Sequence, residues 1–314
     1  MMELLECAEF FRRHDNYIVI THRRPDGDTL GSAAALCHAL QRLGKAAWMY
    51  RNSEITELFM PYVEAYLAPP EYAPQTVVTV DVADTTLFPV GFDGAVDLWL
   101  DHHPARGLPR EPGMTWAHKS SCGELILELI ETLCGGVDRE EADLLYIAVS
   151  TDTGCFVYDN TNADTHRAAA RLMDAGADIA ALNKPLFRFK SRARIVLEGL
   201  ICSDLRCFRG DLISVAVVTL DMMRRSGATE DDCNDLASLA GQVRTNKVAV
   251  TVRELSEDPP RTKVSLRTEG TVDASAVCMR FGGGGHKMAS GCELALSPEA
   301  TAEAVRAAVE EAWP

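Results

Sequence analysis

NYIVITHRRPDGDTLGSAAALCHALQRLG, residues 16–44, decides the reading of the fold. NYIVIT is a short apolar, β-branched run, which is a buried strand. It ends in the polar loop HRRPDGD. GSAAALCHALQRLG (31–44) has helical spacing and stops at Gly44, a C-terminal cap. The loop between strand and helix raises a question of its own. Two aspartates flank one glycine, and carboxylates crowded on a short turn repel unless something positive sits between them.

The same alternation continues outward. KAAWMY (45–50), TVVTV (76–80) and AVDLWL (95–100) read as further strands, the last two ending at Asp81 and Asp101. Helices follow at about 120–134 and 139–150, then at 162–175 and about 189–204. Strands alternating with helices predict an α/β domain: a mostly parallel sheet with helices on both faces. From about residue 205 the pattern restarts, with strands at 212–220, 247–255 and 262–268. Helices at about 229–240, 273–281 and 298–312 fill the gaps, and a strand is expected at 292–296. This is a second, smaller mixed α/β domain, with a cleft between the two. The expected boundaries are 1–187, a helical linker at 188–204, and 205–314.

Composition narrows the class of function. The 314 residues suit two medium domains, and 47% apolar with 25% charged residues is ordinary for a globular protein. No apolar run approaches the ~18 residues of a membrane span. The start MMELLECAEFFRRHDNY reads as an amphipathic helix, not a signal peptide. The 10 cysteines form no CxxC pair and sit mostly in apolar or helical patterns. These features predict a cytoplasmic protein with buried thiols and no membrane partner. The net charge of −15 argues against long duplex nucleic acid, which calls for a basic face. A short phosphorylated ligand held by metal ions remains compatible with it.

The acids fall where such a ligand would bind. His22, Asp26 and Asp28 follow the first strand, Asp81 ends another, and Asp101, His102 and His103 end a third. Asp152 sits in AVSTDTGCF after an apolar helix. Open parallel sheets bind ligands beyond the carboxyl ends of their strands, so these residues are expected to converge on one edge. Each feature alone has a plain reading: Asp-Gly-Asp as a turn, a strand-terminal Asp as a helix cap, paired histidines as surface residues. Together they form a carboxylate cluster that is costly without divalent cations. Several carboxylates with a few imidazoles suit Mn²⁺, with Mg²⁺ or Fe²⁺ as alternatives, better than a thiolate-rich zinc site. Two such ions, about 3.5–4 Å apart, are a recurrent device for phosphoester hydrolysis.

HRRPDGDTLGS, DVAD, LDHHP and STDTG, in that order, resemble the four motifs of the DHH phosphoesterase superfamily. FGGGGHKMASG (281–291) resembles the glycine-rich signature of the DHH-associated C-terminal domain. The resemblance covers nearly the whole chain and is strongest to the oligoribonuclease and 3'-phosphoadenosine 5'-phosphate phosphatase branch, the nanoRNases. It implies that His22, Asp26 and Asp81 hold one metal, and that Asp28, Asp81, His102 and Asp152 hold the other. It implies that His103 meets the scissile phosphate or leaving oxygen and that Asp101 orients the histidines. It places substrate contacts at Arg267, Gly283, Gly284, Gly285 and His286, with Arg267 on the distal phosphate. Arg244, Arg253 and Ser290 are further candidates. The expected substrates are short RNA or nucleotides, and a homodimer is compatible with the resemblance. DVADTTLF departs from many relatives in lacking an arginine shortly after DxxD, which puts any substrate contact from that position in doubt.

Other readings use the same motifs. A cyclic or linear dinucleotide phosphodiesterase would use the same site on a signalling molecule. A pyrophosphatase would share the first four motifs but not GGGGH. A binding module that kept only the fold should have lost ligands, whereas every expected one is present.

Overall fold

The structure, a computed structural model, describes residues 2–103, 112–233 and 236–314. Pro104 of LDHHP lies outside the described residues. The chain forms two compact units, Met1–Phe189 and Lys190–Pro314. Among the described residues, no helix is long and apolar enough to cross a membrane.

Five parallel strands form the sheet of the first unit: β1 (Tyr17–Ile20), β2 (Ala47–Met49), β3 (Thr76–Val80), β4 (Leu98–Asp101) and β5 (Gly113–Thr115). Their order is β2-β1-β3-β4-β5. The sheet is flanked by α1 (Leu4–Arg13), α2 (Gly27–Arg42), a single turn α3 (Met60–Val63), α4 (Cys122–Cys134), α5 (Arg139–Asp152), α6 (Ala163–Asp174) and α7 (Ile179–Asn183). Strand alternation sorts the side chains. Tyr17, Val19, Val78, Val80, Leu98 and Leu100 face the core shared with α1, α2, α4 and α5. Ile18 and Ile20 face the opposite side, where Ala68, Tyr72, Val77, Phe88 and Phe92 close over them.

Register makes one edge chemical. Ile20 stands beside Thr79, and Val80 beside Leu100. The strands therefore end level, and His22, Asp81 and Asp101 leave them at the same height. Two findings differ from the expected pattern. β5 is too short and glycine-marked to register as an apolar run. The second helix begins at Gly27 rather than Gly31, because Asp26 caps it, its side chain accepting from the amides of Asp28 and Thr29. Asp28 thus lies on a helix, not on a loop.

Glycines set how closely the helices approach. A Cβ on Gly31 would lie 2.3 Å from the Leu144 carbonyl oxygen, and one on Gly27 would lie 2.4 Å from Thr151 Oγ1. Both contacts join α2 to α5, and they bring the start of one helix against the end of the other. Gly31→Ala should force the two backbones apart and destabilise the protein by about 1–3 kcal/mol. The expected readout is a lower urea midpoint at unchanged slope. An unchanged midpoint would show that α2 and α5 separate freely.

The second unit opens with α8 (Arg192–Ser203), whose Leu197 and Ile201 are buried against Ala216, Val218 and Ala249. Its sheet holds β6 (Arg206–Phe208), β7 (Ile213–Val218), β8 (Val248–Glu257), β9 (Pro260–Thr268), β10 (Gly284–Gly285) and β11 (Ala289–Leu294). The order is β10-β11-β9-β8-β7-β6, with only β7 and β8 parallel. Between β7 and β8 lie α9 (Leu220–Ser226) and a short turn α10 (Ala237–Ala240). Of the helix expected at about 229–240, residues 234 and 235 lie outside the described residues, and Asp231–Cys233 is a 3-10 turn. α11 (Ala274–Met279) and α12 (Pro298–Glu311) pack on the other face with Val250, Val264 and Leu266. All ten cysteines are free thiols, six of them buried.

Candidate metal centre

Each ligand-type side chain is aimed by an element that the local sequence builds. His22 follows β1, and its Nδ1 bonds the Arg23 carbonyl at 2.8 Å. That leaves Nε2 facing Asp26 Oδ1 at 3.6 Å and Asp81 Oδ2 at 3.7 Å. Asp81 follows β3 with φ at 58°, a left-handed conformation that a non-glycine residue keeps only where its surroundings enforce it. Asp28 is 1% exposed. Its oxygens accept from the amides of Cys122 at 2.7 Å and Gly123 at 2.9 Å, the first residues of α4. It therefore sits at the positive end of two helices, its own and α4. Asp152 is the last residue of α5.

His102 ties these groups together. Its Nδ1 bonds the Lys119 carbonyl at 3.2 Å, which turns Nε2 inward. Nε2 then lies 3.6 Å from an oxygen of each of Asp28, Asp81 and Asp152. That spacing is too long for a hydrogen bond and equal in three directions. His102 Nε2 and Asp81 Oδ1 are both buried without a hydrogen-bond partner. Among the groups of ligand atoms that result, which include Asp81 with Asp101, His102 and His103, two divide the acids between them: His22 with Asp26 and Asp81, and Asp28 with His102 and Asp152. Asp81 faces both, Oδ2 toward His22 and Oδ1 toward His102.

Charge completes the test of fit. Among the described residues, no lysine or arginine pairs with Asp26, Asp28, Asp81 or Asp152; their partners are histidines. Burial, then the charges of Asp81, Asp152 and Asp26, hold the Asp28 carboxyl well above the usual carboxylate range. Burial and the charge of Asp81 and Asp26, against the opposing pull of His102, push Asp152 up to about 6. Burial acts to lower His22, but Asp26 and Asp81 outweigh it and push it up to about 9. Burial acts to raise Asp26 too, but His22 and the amides of Thr29 and Asp28 hold it below the usual range; two raised carboxylates beside a raised imidazole are still the pattern of an anionic cluster that divalent cations would neutralise. The donor set of oxygens and imidazole nitrogens fits hard or borderline divalent ions.

Asp101 and His103 are arranged differently. Asp101 is 1% exposed, and its Oδ1 accepts from the His103 amide and from His103 Nδ1, each at 3.0 Å. Asp81 Oδ1 is 3.3 Å from the same Nδ1, off the direction in which that nitrogen already donates. His103 is thus held through Nδ1 and half exposed. Asp101 orients His103, while the Lys119 carbonyl orients His102. Three supports were not read from the sequence: the amides of Cys122 and Gly123, and that carbonyl. Ser121-Cys-Gly-Glu124 is a helix-start pattern that could have flagged the first two.

The remaining candidates lie in the second unit. Arg267 is an exposed residue of β9 lining a pocket of 370 Å³ with Thr251, Arg253, Lys263 and Ser265. Arg253 pairs with Glu230 at 3.0 Å, Arg244 is exposed and Ser290 is buried. His286 is exposed on the turn into β11, its amide donating to the Ala289 carbonyl at 2.8 Å. The fold itself accounts for most of the glycine run. Gly282 is left-handed at φ 75°. A Cβ on Gly283 would lie 2.2 Å from the Gly291 carbonyl oxygen, and one on Gly285 would lie 2.7 Å from that of Ala289. Gly284 alone meets no such demand, being exposed with nothing near its missing Cβ.

Comparison with known proteins agrees with both units. Residues 16–149 match the DHH family, N-terminal domain, and residues 212–313 match the DHHA1 domain. The chain is 31% identical over 297 residues to the bifunctional oligoribonuclease and PAP phosphatase NrnA of Thermus thermophilus, covering 93% of this chain and 89% of that protein. The protein of the same name from Bacillus subtilis is 25% identical over 291 residues, covering 90% of each. Among solved structures, an exopolyphosphatase-related protein from Bacteroides fragilis shares the fold, with a TM-score of 0.86 at 20% identity over 98% of this chain and 95% of that one.

Proposed function

The chain belongs to the DHH family and carries a DHHA1 domain, and from that premise we propose that it is a cytoplasmic, metal-dependent phosphoesterase hydrolysing short oligoribonucleotides and 3'-phosphoadenosine 5'-phosphate. The observation that carries the reading is the buried carboxylate–imidazole cluster at the sheet edge, with His102 Nε2 3.6 Å from three carboxylates and no lysine or arginine paired with them among the described residues. The substrate class rests on the curated relatives, named as oligoribonucleases and PAP phosphatases along nearly their whole length.

His22, Asp26 and Asp81 would hold one ion, and Asp28, Asp81, His102 and Asp152 a second, with Mn²⁺ the favoured metal. When bound, such ions supply Lewis-acid polarisation of phosphoryl oxygens and lower the pKa of water. The chain's own residues position the rest. Asp101 fixes His103 through Nδ1, so that its Nε2 can hold a proton against the scissile phosphate or the leaving oxygen. Arg267, His286 and the backbone of Gly283–Gly285 would anchor the far end of the substrate, which restricts it to short molecules.

The test is hydrolysis with Mn²⁺ over a panel: a 5'-labelled RNA dinucleotide and pentanucleotide, 3'-phosphoadenosine 5'-phosphate, a cyclic dinucleotide and pyrophosphate. Turnover of the short RNAs or the bisphosphate, lost in chelator, is the expected result. Turnover of the cyclic dinucleotide or pyrophosphate alone would overturn the substrate assignment, and no turnover at all would overturn the hydrolase reading.

A further inference from the structure

One groove of the second unit gathers like charges. Lys263, Ser265 and Arg267 alternate along β9 and therefore share a face, and Thr251 and Arg253 of β8 line the same pocket. Thr262, Val264 and Leu266, the residues between and beside them, are buried on the opposite side.

The register sets cation against cation. Arg253 stands directly across from Lys263, next to the Thr251–Ser265 pair. Like charges facing each other across an antiparallel pair cost stability. The other basic residues of this sheet have acids to hand: Arg206 pairs with Glu299 and Arg261 with Glu293. Glu293 is also the neighbour of Lys263 on β11, yet its carboxylate goes to Arg261 at 2.7 Å. Arg253 meets only the exposed Glu230, at 3.0 Å. Among the described residues, neither Lys263 nor Arg267 pairs with a carboxylate, in a chain whose net charge is −15. Thr251 gives an independent sign. It is 5% exposed, and its Oγ1 is buried without a hydrogen-bond partner. Fold stability accounts for none of this, whereas an anion with several acceptor oxygens would answer both the facing cations and the unmatched hydroxyl.

We infer that Thr251, Arg253, Lys263 and Ser265 form a second phosphate subsite, which engages only strands longer than a dinucleotide. The inference rests on the phosphoesterase reading, which gives the scissile phosphate to the metal centre and the distal phosphate to Arg267. A 5'-phosphorylated dinucleotide has two phosphates, as does 3'-phosphoadenosine 5'-phosphate, so neither has one to spare. Lys263 and Arg267 are four residues apart, about 13 Å along the strand, a span that suits two phosphates of one chain. The subsite therefore adds affinity for the third phosphate of a longer RNA, whatever its bases, since a backbone contact carries no sequence information.

The test measures kcat and KM for wild type, Lys263→Gln and Lys263→Arg. Lys263 is exposed, so its loss should leave the fold intact. The substrates are a 5'-phosphorylated RNA pentanucleotide, the matching dinucleotide and 3'-phosphoadenosine 5'-phosphate. Lys263→Gln should raise KM on the pentanucleotide roughly 3- to 10-fold with kcat unchanged, and should flatten the slope of log KM against log salt by about 0.7. Its KM on the two smaller substrates should match wild type, and Lys263→Arg should stay near wild type on all three. An unchanged KM on the pentanucleotide overturns the inference. An equal rise on pentanucleotide and dinucleotide also overturns it, because Lys263 would then share the distal phosphate with Arg267. If wild type hydrolyses none of the three, the phosphoesterase reading fails and the inference falls with it.

Discussion

Asp81→Asn should abolish hydrolysis of the RNA dinucleotide, lowering kcat by about a thousandfold or more. Asp81 is 3% exposed and is the residue that faces both sets of ligand atoms, Oδ2 toward His22 at 3.7 Å and Oδ1 toward His102 at 3.6 Å. Asparagine keeps the shape but turns one of those oxygens into an NH₂ donor, which repels a cation and cannot ligate it. Whichever way the amide settles, one set loses its shared oxygen. Asparagine is also the right probe for the backbone, since it tolerates the left-handed conformation at φ 58° better than alanine does. The metal-free variant should melt close to wild type, because the charge partner it takes from His22 is offset by relief of the like charges on Asp28 and Asp152. Retention of more than a tenth of wild-type activity would show that Asp81 is not shared.

Manganese should raise the melting temperature of the chelator-treated protein by about 10–20 °C. At free metal a hundredfold above Kd, each site contributes about 2.7 kcal/mol. Two sites give about 5 kcal/mol, which for a domain of some 150–250 residues corresponds to that shift. Asp28→Asn sharpens the test, since the same chemical change acts differently there. Both Asp28 oxygens already accept from backbone amides, those of Cys122 and Gly123. An NH₂ group must oppose one of those amides, a buried donor–donor clash. Metal-free Asp28→Asn should therefore melt below wild type, where metal-free Asp81→Asn does not, and both should lose at least half of the manganese increment. A manganese shift of only a degree or two in wild type would mean that the cluster is not a high-affinity metal site.

Much of the frame was legible in local pattern. NYIVIT, TVVTV and AVDLWL are apolar runs bounded by polar residues, and the strands at Tyr17–Ile20 and Thr76–Val80 lie within them while Leu98–Asp101 passes the third by one residue. Burial on both faces demands such runs, and that demand acts within a few residues. β5 and α9 escaped notice for the converse reason: three residues around Gly113 and seven around Met222 and Met223 hold their shape through neighbours, not through their own periodicity.

The sequence by itself determined the α/β class, the order of the acidic motifs, and that each acid stands near the end of a strand or helix, because apolar periodicity and chain-ending polar residues are local properties. Only the tertiary structure decided which acids share a neighbour. Asp28, His102 and Asp152 are far apart in the chain and meet through level strand ends and through glycines that let α2 and α5 touch. It alone decided that Asp101 serves His103 while a backbone carbonyl serves His102, and that packing explains Gly283 and Gly285, a left-handed backbone explains Gly282, and neither explains Gly284. Register, helix approach and ring orientation are set by contacts between distant segments, and no window of sequence contains them.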